Sequence, residues 1–457
     1  SGTCQHKFGI APGPGKICLM PREPLLLTFY GDDLTGSTDA MEALSLHGIP
    51  TVLFLDAPAE SDLVRFADCR AVGIAGMSRG ESPHWMDQNL PPVFVALREL
   101  GAPICHYKVC STFDSSPTVG SIGRAIELGR KVMKSEVVPM VVGAPVLKRY
   151  VTFGNLFATV HGETHRIDRH PTMSCHPVTP MDEGDLRRHL ARQTDLRIDL
   201  IDILALQAGQ GLESLKALSA DGAAIILFDT LDKSSLREAG RAIWESQRLA
   251  TTFVAGSSGV EYALLAWWES QGALPARPRI VDAAPVDRLL VVSGSCSPLT
   301  GEQIEWALAN GFEGIAVDPV RLVSDQTELV GAQDKAASIL AAGRSPIVYT
   351  AAGPKDVVRQ DQDFGRQIGL RLSEIAAEVL RRSGVKRIIS SGGDTSGHIG
   401  KSLEIQALTV IRPFAPGSPL CRLWSKNSQS DGVEILLKGG QVGSEELFGQ
   451  VRAGRLP

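Results

Sequence analysis

From residue 25 onward, short apolar runs alternate with amphipathic stretches, and the joints between them are rich in Gly, Asp and Ser. Apolar runs too short for helices and without polar alternation read as strands buried on both faces. The amphipathic stretches read as helices, and the alternation as parallel β-α-β units. The pattern predicts strands over residues 25–29, 51–55, 71–75, 104–108, 137–142, 223–228 and 252–255, and helices over 37–46, closed by Gly48, and 122–131. Over 272–288 the chain reads GALPARPRIVDAAPVDR, rich in Pro and Ala and without periodicity, as a linker does. Strand patterns then resume at 289–292, 314–317, 347–350, 387–390, 409–411 and 433–437, ahead of a terminal helix over 445–451.

A chain of 457 residues is long for one hydrophobic core. The expected architecture is α/β with two domains, each built on a mainly parallel sheet flanked by helices. The boundaries expected are a loose, disordered leader over 1–24, a first domain over 25–275, a linker over 276–287 and a second domain over 288–457.

Composition acts mainly by exclusion. With 46 Lys+Arg against 51 Asp+Glu the net charge is −5, so the chain has no electrostatic footprint for nucleic acid or for an anionic membrane surface, and cations that bind anions must be local. No apolar run approaches the roughly 18–20 residues that span a bilayer. The eight cysteines form no C-x-x-C pair, which supports neither a zinc ribbon nor a disulfide framework and points to reduced thiols in a cytoplasm. A small-molecule ligand is the partner that remains; a homodimer is compatible with it.

Parallel sheets present ligands at the carboxyl ends of their strands, so the loops there are where chemistry is expected. After the first strand comes Gly31-Asp32-Asp33-Leu34-Thr35-Gly36, with Asp39 beyond. Capping the following helix needs one acid; two leave a spare that can take a proton from a hydroxyl. Arg79 follows the third strand, and Lys108-Val109-Cys110-Ser111-Thr112-Phe113-Asp114 the fourth. Arginine grips carboxylates, lysine adds a compact charge, and hydroxyls suit a polyol. The histidines His161, His165, His170 and His176 with Cys175 match no zinc-ligand spacing and are broken up by Pro171 and Pro177; they read as a crossing loop beside the pocket.

In the second half, Ser293-Gly294-Ser295-Cys296-Ser297-Pro298 joins a strand to a helix, with Ser297 placed to cap and Pro298 to start it. Ser391-Gly392-Gly393-Asp394-Thr395-Ser396 does the same later, and Lys438-Gly439-Gly440 closes the chain's last strand. Small residues ahead of a helix let phosphate oxygens reach backbone N–H groups, and Asp394 is placed to meet magnesium. Neither a Walker A loop nor a G-x-G-x-x-G fingerprint is present, which weakens a dehydrogenase reading.

In series, Asp32-Asp33-Leu34-Thr35-Gly36 with Asp39, KVCSTFDS at 108–115, HPVTPM at 176–181, SGSCS at 293–297, GGDTS at 392–396 and the closing glycine turn resemble the four-carbon acid sugar kinases. The resemblance spans residues 25–450 and implies a sugar-acid-binding domain, a nucleotide-binding domain and phosphoryl transfer from MgATP in the cleft between them. It implies that Ser293, Gly392, Gly393, Asp394, Thr395 and Gly440 hold ATP, with Ser295 and Ser297 in the same loop. It further implies that Asp32, Arg79, Lys108, Ser111 and Thr112 hold the acid sugar, with Asp114 of the same loop among the substrate-binding residues and Asp32 or Asp33 as base. KVCSTFDS looks more like the 3-oxo-tetronate than the tetronate kinases. Val119-Gly120-Ser121 departs from the Gly-Asn that the family often carries there. The rival readings are an NAD(P)-dependent dehydrogenase or isomerase and a non-catalytic sugar-acid-binding module.

Overall fold

The computed structural model describes residues 24–160, 162–176, 178–246, 251–353 and 362–456. The leader up to residue 23, His161, Pro177 and the side chain of Asp394 lie outside the described residues. The first half holds β1 (Leu27–Gly31), β2 (Thr51–Phe54), β3 (Ala71–Ala75), β4 (Ile104–Lys108) and β5 (Val138–Val141), then a small sheet of β6 (Arg149–Thr152), β7 (Asn155–Val160) and β8 (Glu163–Arg166), then β9 (Ile198–Ile201), β10 (Ile225–Phe228) and β11 (Thr252–Gly256). The second half holds β12 (Leu290–Ser293), β13 (Phe312–Ala316), β14 (Ser345–Tyr349), β15 (Arg387–Ser391), β16 (Ala407–Ala415), β17 (Ser418–Trp424) and β18 (Glu434–Lys438). Every residue of β1, β3 and β4 is buried, which is why these strands read as mainly apolar runs without polar alternation.

The two mainly parallel sheets are joined edge to edge in the order β13-β14-β12-β15-β18-β17-β16-β2-β3-β1-β4-β11-β5-β10-β9. The joint is antiparallel pairing of β16 with β2, Ala407 opposite Phe54 and Leu408 opposite Leu53. Since β16–β17 and β17–β18 are also antiparallel, the parallel strands of the two halves run in opposite senses. A sheet twist of roughly 20–25° per strand accumulates over the steps from β1 to β15 and swings the two carboxyl edges toward one another. Helix Gly393–Ser402 shows how near they come: it starts at the loop after β15, and a Cβ on Gly400 would lie 3.3 Å from Leu34, the first residue of helix Leu34–Leu46 after β1. Seven residues of helix span about 10 Å.

A second tie is the β16–β17 turn. Gly417, at φ +77°, donates its N–H to Glu42 at 2.6 Å, and its carbonyl accepts from Thr38 at 3.3 Å, both on helix Leu34–Leu46. Residues 273–289 carry neither helix nor strand; they start against the first half, where Arg277 pairs with Glu269 at 2.9 Å, and end against the second, with the Ala283 N–H on the Gly454 carbonyl at 2.9 Å.

Two features differ from the pattern-based expectation. The β6–β8 sheet, β9 and β17 have no counterpart in it, because they leave part of each strand less than fully buried and carry Arg149, Arg166, Asp199, Pro419 and Arg422 where an apolar run is the signal. The histidine stretch expected as a crossing loop is partly strand β8, followed by single turns at Ile167–Arg169 and Met173–Cys175.

Candidate active site

The first half gathers its candidates at the ends of β1, β3 and β4, paired in register with Gly31 opposite both Ala75 and Lys108. Asp33 is the cap: its Oδ1 accepts the Gly36 N–H, its hydroxyl neighbour Thr35 lies at 3.2 Å, and its Oδ2 pairs with Arg79 at 2.7 Å. Burial works against this carboxylate, but Arg79, Lys108 and the Gly36 N–H outweigh it and hold the pKa below the usual range. Asp32 is the spare acid. It is 5% exposed, its Oδ1 has no hydrogen-bond partner among the described residues, and burial together with the neighbouring Asp33 raises its pKa to about 7 despite Arg79 and Lys108.

Arg79 is held from two sides, by Asp33 and by Asp114, whose oxygens lie 2.9 and 3.0 Å from Nη2. Asp114 also receives the Thr112 hydroxyl at 2.5 Å and the Thr179 hydroxyl at 3.1 Å, and against the effect of burial Arg79 and the Thr112 hydroxyl bring its pKa down to about 2. Both of its oxygens are thus spent within the protein, and so is the Thr112 hydroxyl. Asp114 and Thr112 position Arg79, whose side chain stays 31% exposed and keeps N–H groups to spare. Ser111, half-buried, has no side-chain partner among the described residues. Phe113, at φ +57°, takes the left-handed turn that folds Asp114 back toward Arg79. The histidine loop meets the site through Thr179, whose N–H donates to His176 Nδ1 at 3.1 Å.

Lys108 is 1% exposed. Its Nζ donates to the Val109 carbonyl at 3.0 Å and lies 3.6 Å from Asp39, and Asp39 and Asp32 raise its pKa although burial opposes them. It is therefore a charge beneath the acids and not a hand extended to a ligand.

In the second half the loops after β12, β15 and β18 converge. Ser297 caps helix Pro298–Ala309 as expected and donates its hydroxyl to the Gly440 carbonyl. Thr300 Oγ1 lies 3.0 Å from Ser295 Oγ and 3.0 Å from the Gly440 carbonyl, and Ser295 N–H reaches Ser293 Oγ at 3.4 Å. The loops leave no room for side chains: a Cβ on Gly294 would come 2.4 Å from Thr395 Oγ1, and one on Gly440 2.6 Å from Ser295 Oγ. Gly392, at φ +113°, starts helix Gly393–Ser402 with no side-chain cap among the described residues, and Gly393 is exposed. This cradle of small residues at an uncapped helix N-terminus suits a polyphosphate.

Two residues were passed over in the sequence. Lys438 was seen only as the start of a glycine turn, although EILLK ends in lysine at the same place in its strand as ICHYK does. Arg149 is partly buried, has no acid partner among the described residues, and leaves Nε without a hydrogen bond; burial lowers its pKa. Nothing in the local pattern signalled it, since β6 is too short and too polar to stand out.

Fold and site define a two-domain α/β enzyme that brings an acid-and-arginine pocket up to a phosphate cradle. The family model for a sugar-binding N-terminal domain matches residues 27–264, and that for a nucleotide-binding C-terminal domain matches residues 290–448. The chain belongs to the four-carbon acid sugar kinase family. It is 49% identical over 447 residues to a 3-oxo-isoapionate kinase of Paraburkholderia graminis, covering 94% of this chain and 95% of that one. A 3-oxo-tetronate kinase of Pectobacterium atrosepticum is 27% identical over 436 residues, covering 93% and 98%. Among solved structures, a Salmonella typhimurium protein described as a putative tRNA synthase superposes with a TM-score of 0.76 at 25% identity, covering 94% of this chain and 98% of that one. A Haemophilus influenzae protein shares the fold with a TM-score of 0.68 at 22% identity, covering 94% and 100%.

Proposed function

We propose that the protein transfers the γ-phosphoryl group of ATP to a terminal hydroxyl of a 3-oxo sugar acid, C4 in a four-carbon acid, with Asp32 as general base. The observation that carries this reading is the Asp32 carboxyl: buried, with a free oxygen, and titrating at about 7, where a base for hydroxyl chemistry works best. Asp33 is occupied by capping and by Arg79, and so we give it the lesser role of holding Arg79.

Asp32 takes the proton of the attacking hydroxyl as the new O–P bond forms and the bond to the β-phosphate's bridging oxygen breaks, releasing ADP. Arg79, aimed by Asp33 and Asp114, takes the substrate carboxylate through its remaining N–H groups, with Ser111 offering a hydroxyl. The backbone of Gly392, Gly393 and Thr395, with Ser293, Ser295 and Gly440, holds the phosphates. Magnesium supplies charge neutralisation when bound, and we assign Asp394 to it from the sequence.

For the acid itself, the far higher identity to the 3-oxo-isoapionate kinase than to the 3-oxo-tetronate kinases favours 3-oxo-isoapionate. A local feature agrees with a changed pocket. Gly120, in the segment that departs from the family pattern, packs so closely that a Cβ there would lie 2.5 Å from the Arg79 carbonyl oxygen. A coupled ADP-release assay with MgATP across 3-oxo-isoapionate, 3-oxo-tetronate, threonate and erythronate tests this. Turnover is expected to be highest with 3-oxo-isoapionate; faster turnover of threonate or erythronate than of both 3-oxo acids overturns it. We place the enzyme in the cytoplasm, where the free cysteines among the described residues stay reduced, and light scattering decides whether it works there as a homodimer.

A further inference from the structure

Among the groups closed inside the second half, Lys438 is an amine for which the described residues show no ion-pair partner. It ends β18, is 0% exposed, and its Nζ lies 3.1 Å from Thr300 Oγ1 and 3.0 Å from Ser391 Oγ. Thr300 comes from helix Pro298–Ala309 and Ser391 from the end of β15, and both are neutral acceptors. Among the described residues these two hydroxyls are its side-chain hydrogen-bond partners, the side chain of Asp394 on helix Gly393–Ser402 lying outside them, and burial pushes its pKa down to about 7.

The hydroxyls around this amine belong to the phosphate cradle. Thr300 also reaches Ser295 and the Gly440 carbonyl, and the Lys438 carbonyl accepts the N–H of Gly392 at 2.9 Å, where helix Gly393–Ser402 starts. An anion seated on these loops would stand over a low-dielectric site that holds this buried lysine, and attraction across such a medium is strong.

We infer that Lys438 is the built-in counter-charge of the nucleotide's phosphates, neutral in the free protein and protonated when they bind, so that nucleotide binding draws a proton from solvent onto Nζ. The inference rests on the nucleotide-site reading above. One N–H bond forms from the amine's lone pair, and no other covalent bond changes. By linkage, affinity falls as pH rises above the free lysine's titration, approaching tenfold per pH unit.

Isothermal titration calorimetry with MgADP at pH 8, in buffers of differing ionisation enthalpy, counts the protons. Phosphate oxygens are already ionised at that pH, so uptake comes from the protein. The expected result is uptake approaching one proton per bound ADP, a Kd that weakens toward tenfold between pH 8 and 9, and loss of both the uptake and the pH dependence in Lys438→Met. Tight binding without proton uptake by the unmodified protein overturns the inference, even should the variant fail to fold. So does uptake that persists in Lys438→Met. If MgADP does not bind the unmodified protein at all, the nucleotide-site reading fails and this inference with it.

Discussion

Each half of the molecule ends a central parallel strand in a buried lysine, and the two are treated in opposite ways. Lys108 closes β4 among Asp32, Asp33 and Asp39, and these acids keep it charged. Lys438 closes β18 among hydroxyls alone, and burial makes it easy to deprotonate. The first half therefore carries a charge that its own fold neutralises, leaving Asp32 near its titration point beside it. The second half holds an amine that burial keeps close to neutral and that, by the inference above, takes up its charge only when an anion binds there. A sugar acid brings a hydroxyl to be deprotonated; a nucleotide brings phosphates to be neutralised.

The sharpest way to break this comparison is at Asp32. Asp32→Asn should lower turnover on the order of 10²–10⁴-fold while MgADP affinity, set in the other half, stays unchanged. Because Asp32 must be ionised to act, kcat/KM of the unmodified enzyme should rise with pH up to an acid limb at about 7. Undiminished turnover in the variant, or a rate flat from pH 5 to 8, removes Asp32 from the role.

Next in size is the contrast in stability between the lysines. Lys108→Met leaves buried acids without their cation and should cost about 3–5 kcal/mol in urea unfolding, the usual penalty for breaking a buried pair. Lys438→Met removes an amine that is largely neutral at pH 8 and should change stability by less than about 1 kcal/mol. Equal losses would mean that the two sites are built alike.

Glu42 extends the comparison to an acid that no cation reaches. It accepts the Gly417 N–H at the tip of the β16–β17 turn, and burial, with Asp39 nearby, raises its pKa from 4.5 to about 8. The folded state therefore holds its proton more tightly than the unfolded chain. The stability this contributes is complete below about pH 4.5 and is lost as pH rises to about 8. Replacing it, Glu42→Gln should flatten the pH dependence of unfolding in that window by on the order of 1 kcal/mol per pH unit. A slope unchanged by the substitution would show that the turn is not held by a protonated carboxyl.

Smallest is the effect expected at the cradle wall. Gly440→Ala pushes a methyl against Ser295 and Ser297 and should raise KM for ATP by about tenfold, or about 1.4 kcal/mol, with KM for the sugar acid unaltered. A change confined to the sugar acid would place the phosphates elsewhere.

Much of this was legible along the chain. Apolar runs located the buried parallel strands to within a few residues, because a strand covered on both faces has no polar alternation to disguise it. The doubled acid after β1 and the glycine-rich loops after β12 and β15 could be read because helix capping needs one acid and few side chains fit beside a phosphate. The family motifs supplied the chemistry that joins them.

Three-dimensional packing decided what local pattern cannot encode. That Asp33 caps while Asp32 is spare depends on which carboxylate meets Gly36 and Arg79. The role of Asp114 as a support for Arg79 depends on a turn at Phe113 that brings residues 79, 114 and 179 together. The opposed sense of the two parallel sheets follows from β16 pairing with β2, across some 350 residues of chain. The two lysines look alike in sequence, as the last residues of ICHYK and EILLK; their charge states differ because a pKa is set by neighbours in space, and those neighbours come from distant strands and helices.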